Sequence, residues 1–495
     1  MALGRIPGLP RIGRSAWMLI CAAVAVVSNS VHPQDALKHI GEPQSIDTFI
    51  LLFSMMIIGQ HVHGAGLTDM LGQRIANGPA WAFILKTVIA SAILSALLTN
   101  DATCVLLTPV IITQCLNRNL PTQPFVLAIA TASNIGSSCT PIGNPPNIII
   151  RGYSGIEFST FVKRVFPSML VALALDSVAL VMLLRCWTGS QTRCLQGEDT
   201  TKLVAAESDS KGCATTEAEV DAWVKGVQMQ LLRPARASSW HHTASAPAPS
   251  KLAIGLHSYG KKNTPDPGSI PLTLEAGEPW LLTLGIQLTD NKRRTAWVRV
   301  VLAVVARMVS CMALGLLSTS FTALSAAVLL LAADGREART TLANIDMEVL
   351  IFFAAMFVVV PALTNTGLPA LAWNVVADLA VLSDPLGVIV TCVTVVILSN
   401  IAGNVPTVLL LRRAAFESER PLSVEQETAW MALAWLSNMA GNLTPPGSVA
   451  NAITIDAAVK AGGCAPTLAQ FLLFSVPMTV LSIASGMPLL LWLQS

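Results

Sequence analysis

Ala130–Ile150 reads ATASNIGSSCTPIGNPPNIII, and Ala434–Thr454 reads AWLSNMAGNLTPPGSVANAIT. Ser-Asn, Thr-Pro, Gly and a closing Asn come in the same order in both. Asn438 follows Asn134, Pro445 follows Pro141 and Asn451 follows Asn147, each by 304 residues. Working outward, LLTNDATCVLLTP (Leu97–Pro109) precedes the first stretch and VILSNIAGNVPTVLLL (Val396–Leu411) the second, with Asn400 lying 300 residues after Asn100. Further upstream, IDTFILLF at Ile46 and IDMEVLIFF at Ile345 keep a shift of 299. A shift that drifts so little over so many anchors marks a duplication.

Each motif sets Asn, Ser, Thr, Gly and Pro inside a strongly apolar run. In a bilayer, unsatisfied backbone groups are costly, so irregular backbone survives only where protein or a cavity lines it. Polar, interrupted helices at matching positions of two halves are the sequence mark of a transporter's midplane site. Composition agrees. The 495 residues are 53% hydrophobic and 12% charged with mean hydropathy +0.60, against about 25% charge in an ordinary soluble chain. A net charge of +2 gives no reason to expect nucleic acid. There is no zinc-type Cys/His spacing and no phosphate-cradling glycine loop, so neither a metal nor a cofactor is expected. Cys21, Cys104, Cys115, Cys139, Cys311 and Cys392 sit in apolar segments as small core residues, and no disulfide framework is implied.

Apolar runs long enough to cross about 30 Å occur at 16–31, 48–66, 124–151, 159–184, 297–317, 319–334, 349–367, 429–453 and 468–493. Two further stretches, 80–116 and 381–411, are interrupted at TNDAT and SNIAGN and read as helical hairpins that enter and turn back at those polar tips. The basic N-terminus followed by the 16–31 run has the features of a signal or transit peptide, but the run aligns with 321–333 in the second half and is read as a retained span. The expected organisation is a first membrane repeat over 1–187, a polar, largely disordered cytoplasmic loop over 188–296, and a linking span plus second repeat over 297–495. Four crossings per repeat, with 297–317 between them, make the repeats inverted. Loop arginines and lysines place the N-terminus in the cytoplasm. Low hydrophobicity with many Ser, Pro and charged residues leaves the loop little to bury, with at most a short helix over 217–232.

Pro141, Gly143, Pro145 and Pro146 cannot continue a regular helix. The resulting half-helix pair exposes N-terminal dipole ends and freed carbonyls beside Thr140, Asn144 and Asn147. The second copy supplies Asn442, Thr444, Gly447, Ser448 and Asn451. Asp101, beside Asn100 and Thr103 at the first tip, has Ile401 as its counterpart by the 300-residue shift. An intramembrane acid is a functional site by default, so Asp101 is the candidate for a coupling proton or cation, with helix capping as the plain alternative. Asp176, in an otherwise apolar span, is either a second titrating site or, more simply, a packing hydrogen bond. Asp456 is expected near the inner end of the second broken helix. Asp47 and Asp346 read as N-terminal helix charges. His61 and His63, two apart, do not share a helix face.

These motifs resemble the plant-type silicon efflux transporters and the bacterial arsenite efflux pumps of the ion transporter superfamily, which also includes citrate and dicarboxylate carriers. The resemblance covers both halves but not the loop. It implies a scaffold and a transport domain that moves as an elevator. It further implies proton-driven antiport of uncharged silicic or arsenous acid, the solute surrounded by Asn100, Asp101, Ser133, Asn134, Asn144, Asn147, Asn400, Asn404, Ser437, Asn438, Ser448 and Asn451. The fold expected is thus all-α and integral to the membrane, with two inverted repeats, re-entrant hairpins and broken helices. The plasma membrane is the expected location, a small inorganic solute, H+ and the bilayer are the expected partners, and the resemblance leaves a homodimer open, although the sequence shows no dimer motif. One rival keeps the fold but carries sodium or carboxylates; neither Arg nor Lys occurs inside either motif, which favours an uncharged solute. Another is a transport-inactive receptor or scaffold acting through the loop, which deletion of the loop would distinguish. No nucleophile, base and orienting group converge, so an enzyme is not expected.

Overall fold

The structure is a computed structural model and describes residues 14–196, 290–335, 338–415 and 423–492. The expected helix at 217–232 and most of the expected loop lie outside the described residues. Within them the chain is all-helical. Proline at the first turn, where its missing N–H costs nothing, opens several helices, including α2 (Pro33–Ile40) and α3 (Pro43–Gly64).

After α1 (Arg14–Val27), α2 and α3 come α4 (Leu67–Ala76), α5 (Ala80–Leu97), α6 (Asn100–Asn117), α7 (Gln123–Ser137), α8 (Pro145–Ser154) and the long α9 (Phe158–Gln196). The second half begins with α10 (Asp290–Ala313), α11 (Thr319–Asp334) and α12 (Ala338–Leu342). It continues with α13 (Met347–Asn365), α14 (Leu368–Ala377), α15 (Pro385–Ala402), α16 (Asn404–Ala415), α17 (Val424–Ala440), a 3-10 turn at Pro445–Gly447, α18 (Val449–Lys460) and α19 (Leu468–Trp492). The order from α3 to α9 recurs from α13 to α19, and even the left-handed glycine before the short fourth helix, Gly66, returns as Gly367.

Among the described residues seven helices are long and apolar enough to cross a membrane. The runs at 16–31 and 319–334 form the shorter α1 and α11, and those at 124–151 and 429–453 are not single crossings. Both of the latter break, over 138–144 and 441–448, where Thr-Pro and Gly interrupt the helical hydrogen bonds. The final span of the first half also runs past residue 187, to Gln196.

α7 is buried from Pro124 to Ser137 and α17 from Trp430 to Ala440, so these two helices form the centre. A helix buried on all sides needs small residues where backbones meet; a Cβ on Gly136 would stand 2.3 Å from the Cα of Ala92, which brings α5 against α7. Around this centre the hairpins α5–α6 and α15–α16 fold back on themselves, while α1 packs along α13 and α3 along α11. The first span of each half therefore lies against the second span of the other.

Candidate functional site

Both helix breaks meet at the centre through four buried carboxamides. Asn147 Nδ2 donates to the carbonyls of Ser137 (3.1 Å) and Thr140 (2.9 Å), and Asn451 Nδ2 to those of Gly441 (2.8 Å) and Thr444 (3.0 Å). Each Asn thus closes its own break onto the end of the preceding helix, at the same sequence offsets. The remaining oxygens reach across: Asn147 Oδ1 accepts from Asn438 Nδ2 (2.7 Å), and Asn451 Oδ1 from Asn134 Nδ2 (3.0 Å). Asn134 is saturated. Its Oδ1 accepts from Asn100 Nδ2 and Ser448 Oγ, both at 3.0 Å, and its Nδ2 also donates to Asn442 Oδ1 at 2.8 Å. Asn438 Oδ1 accepts from Asn144 Nδ2 at 2.7 Å, the position that Ser448 holds in the other half. A network of buried polar groups that is fully satisfied fixes one arrangement, because any slip strands a donor in low dielectric.

The hairpin tips dock on this lattice. At the first, Thr99 Oγ1 accepts from Ala102 N (3.2 Å) to cap α6, and the N–H of Asn100 donates to the carbonyl of Gly143 (3.0 Å). At the second, Gly403 turns the chain at φ +97°. The helix starts correct the sequence alignment: α6 begins at Asn100 and α16 at Asn404, the 304-residue shift of the other anchors. Asn400 is therefore not the counterpart of Asn100 but of Ala96, and Asp101 faces Val405 in the repeat rather than Ile401. The sequence pairing failed because the second hairpin carries Asn at both positions. Asn400 has its own role, accepting from Thr444 Oγ1 (2.8 Å) and donating to the carbonyl of Ala440 (3.1 Å). In the first half Thr140 Oγ1 reaches the backbone carbonyl of Ala96 instead, at 2.6 Å.

A cavity of about 200 Å³ opens where both tips and both breaks meet. Asn100, Asp101, Asn144, Asn400, Asn404, Gly447 and Ser448 line it. Behind them Thr140, Gly143, Asn134, Asn147, Asn438, Asn442, Thr444 and Asn451 form the supporting lattice. Thr103, Ser133 and Ser437 do not line it: Ser133 and Ser437 bond to carbonyls of their own helices, and the buried Thr103 Oγ1 has no hydrogen-bond partner among the described residues.

The opposite wall was not among the expected site residues. It comes from α1, through Ser15, Trp17 and Met18, and from α13, through Asp346, Glu348, Phe352 and Phe353. Asp346 does cap its helix, accepting from Glu348 N (3.1 Å), but it also faces the cavity, and Ser15 Oγ donates to Glu348 Oε1 at 2.5 Å. Two acids at the start of an apolar span were the available signal. Asp47 likewise is more than a helix charge, since it accepts from Ser320 and lies 3.8 Å from Arg151 Nη1. Asp456 is buried one turn before the end of α18, where it pairs with Lys460 at 2.8 Å. Of the two histidines, His61 is buried against Asp334 (3.3 Å) and His63 is exposed. Among the described residues no His, Cys, Asp or Glu grouping suited to a metal occurs.

The family model for the citrate transporter, CitMHS, matches residues 4–437, and the chain belongs to that family. It is 31% identical over 492 residues to a silicon efflux transporter, LSI3, of Oryza sativa subsp. japonica, covering 98% of this chain and 93% of that protein. It is 26% identical over 506 residues to the putative transporter arsB of Dictyostelium discoideum, covering 97% and 87%. It is also 26% identical over 463 residues to the inner membrane protein YbiR of Escherichia coli (strain K12), covering 92% and 90%. The protein is an integral, multi-pass membrane transporter rather than an enzyme.

Proposed function

We propose that the protein exports a small uncharged metalloid hydroxide, silicic or arsenous acid, across the plasma membrane in exchange for protons. The observation that carries the solute class is the chemistry of the cavity wall. Its described lining offers carboxamides, hydroxyls and the carboxylates of Asp101, Asp346 and Glu348, with no Lys or Arg. A citrate-like anion beside three acids meets repulsion of about 1–4 kcal/mol per close charge pair. The start of α8 does little to offset this, because Pro145 and Pro146 remove two of the amide donors that its N-terminus would otherwise present. A neutral hydroxide instead needs acceptors for its O–H groups, and Asn404 Oδ1 is buried beside the cavity without a hydrogen-bond partner among the described residues. The naming of one relative as a silicon efflux transporter supports the same class.

Asp101 is the coupling group in this reading, placed at the only one of the two tips that carries an acid. The recurring element order and the crossed packing of α1 on α13 and α3 on α11 support inverted repeats. The hairpins and broken helices then move together as an elevator against those two walls. The test is efflux from proteoliposomes preloaded with silicic acid or arsenite, with and without an imposed pH gradient. Gradient-accelerated efflux of either solute is expected. Citrate transport with neither hydroxide moved would overturn the assignment in favour of the carboxylate reading.

A further inference from the structure

Asp176, midway along α9, is fully buried and faces α7. Its Oδ2 lies 2.9 Å from Thr131 Oγ1, and its Oδ1 has no hydrogen-bond partner among the described residues. Among the described residues it has no ion pair. The elements packed on α9 supply none: α7 and α19 carry no titratable side chain. Lys86 of α5 is exposed and donates to the carbonyl of Asn77, Glu427 of α17 pairs with Arg164 near the start of α9, and Arg299 and Arg307 of α10 are exposed. An ionised carboxylate with one bare oxygen and no counter-charge is a costly thing to bury.

The hydrogen count at Thr131 points the same way. Thr131 Oγ1 lies 2.9 Å from the carbonyl of Leu127 as well as 2.9 Å from Asp176 Oδ2, and one hydroxyl hydrogen cannot be given fully to both. A neutral carboxyl resolves this: Asp176 Oδ2–H donates to Thr131 Oγ1, which donates to Leu127. The same Thr131 is one step from the cavity lattice, because its carbonyl accepts from Asn442 Nδ2 (3.4 Å) and Asn442 Oδ1 accepts from Asn134 (2.8 Å).

We propose that Asp176 is a second proton-binding site of the transporter, carrying its proton on Oδ2 in this arrangement and communicating its state to Asn134 through Thr131 and Asn442. Loss of the proton turns the Thr131 hydroxyl away from Leu127 and toward the carboxylate, which loosens the turn of α7 that holds Asn442. The inference rests on the proton-coupled reading for its role in transport, but not for its existence.

The test separates the two. Infrared spectra of the reconstituted protein are compared for the wild type, Asp176→Asn and Thr131→Val across the pH range of transport, alongside efflux of silicic acid. The expected result is a protonated-carboxyl carbonyl band that Asp176→Asn abolishes and Thr131→Val shifts, with the pH profile of efflux altered in both. A band unchanged by both variants, or a wild-type pH profile in Asp176→Asn, would overturn it. Should Asp176→Asn not fold, Thr131→Val, which keeps the acid and removes only its partner, decides by the band position alone. Absence of pH-gradient-driven flux in the wild type, with the band behaving as expected, sinks the coupling reading and leaves the proton site standing.

Discussion

At the first hairpin tip Asn100 is tied on two sides, its N–H to Gly143 and its Nδ2 to Asn134, whereas at the second Asn404 keeps a buried Oδ1 without a hydrogen-bond partner among the described residues. The neighbouring positions differ in the same sense. The first tip places Asp101 at the cavity, and the second places Val405 there. The first break leads into α8 through Pro145-Pro146, while the second passes through a short 3-10 turn before α18. The common lattice of Asn134, Asn147, Asn438 and Asn451 holds both copies in one frame. Duplication therefore kept the frame that closes the helix breaks and let the tips diverge, so that charge and an unused acceptor come to opposite sides of one cavity.

If the frame is shared, its two hubs are equally indispensable. Asn134→Ala strands partners on Asn100, Ser448, Asn442 and Asn451, and Asn438→Ala strands Asn144 and Asn147. Each unsatisfied buried group costs about 1–3 kcal/mol, so both variants should lose about 3 kcal/mol or more of stability. Thermal unfolding in detergent checks this, and a loss in one copy that is several-fold smaller than in the other would break the equivalence. Efflux is expected to fall to background in both.

The tips should respond unequally. Asp101→Asn is expected to abolish stimulation by a pH gradient while leaving downhill flux of the neutral solute measurable. Val405→Asp in the Asp101→Asn background should not restore coupling, since Asn100 ties the first tip to Asn134 and Gly143 and, among the described residues, Asn404 makes neither bond at the second. Proton-driven flux that persists in Asp101→Asn would remove the functional meaning of the asymmetry at the tips.

Much of this frame is legible in the sequence alone. The 304-residue shift of Asn134, Pro141 and Asn147 located both breaks, because Pro and Gly act locally on the helix in which they stand. The interruptions at TNDAT and SNIAGN located both tips for the same reason. What could not be read was contact between distant elements. Ser15 and Glu348 are 333 residues apart and meet only because α1 packs on α13, so Asp346 of the far wall read as a helix-end charge and Glu348 gave no signal of its own. The pairing of Asn400 with Asn100 failed on a simpler ground: one sequence offers two asparagines at the second tip, and only the helix start tells which one aligns.

The glycines of the two breaks sharpen the comparison at a smaller scale. A Cβ on Gly143 would stand 2.4 Å from the carbonyl oxygen of Ser137, which is backbone and cannot move aside. A Cβ on Gly447 meets first the Asn400 side chain, at 2.8 Å. Overpacking of this kind costs about 1–3 kcal/mol, so Gly143→Ala should lie at the upper end and Gly447→Ala at the lower. Asn400→Ala should then relieve Gly447→Ala and leave Gly143→Ala unchanged. Unfolding midpoints of the two double variants measure this coupling directly, and equal relief of both glycines would show that the breaks are not built differently after all.

The smallest effect expected on stability is also the most informative about the solute. Because Asn404 Oδ1 has no partner among the described residues, Asn404→Ala removes no hydrogen bond accepted there, and a change within about 0.5 kcal/mol is expected in unfolding. If that oxygen accepts an O–H from a bound hydroxide, the same variant should weaken the apparent affinity for the transported solute by about tenfold, the equivalent of about 1.4 kcal/mol. Asn100→Ala, at the equivalent position, should do the reverse, unfolding more easily because it removes the Nδ2 donor to Asn134 Oδ1 and the Oδ1 acceptor for the N–H of Asp101. Efflux kinetics on both variants, read beside their unfolding curves, would separate an oxygen held for the solute from one held for the fold. An Asn404→Ala protein with unaltered affinity would return that oxygen to the fold and leave the acids of the wall to bind the solute without it.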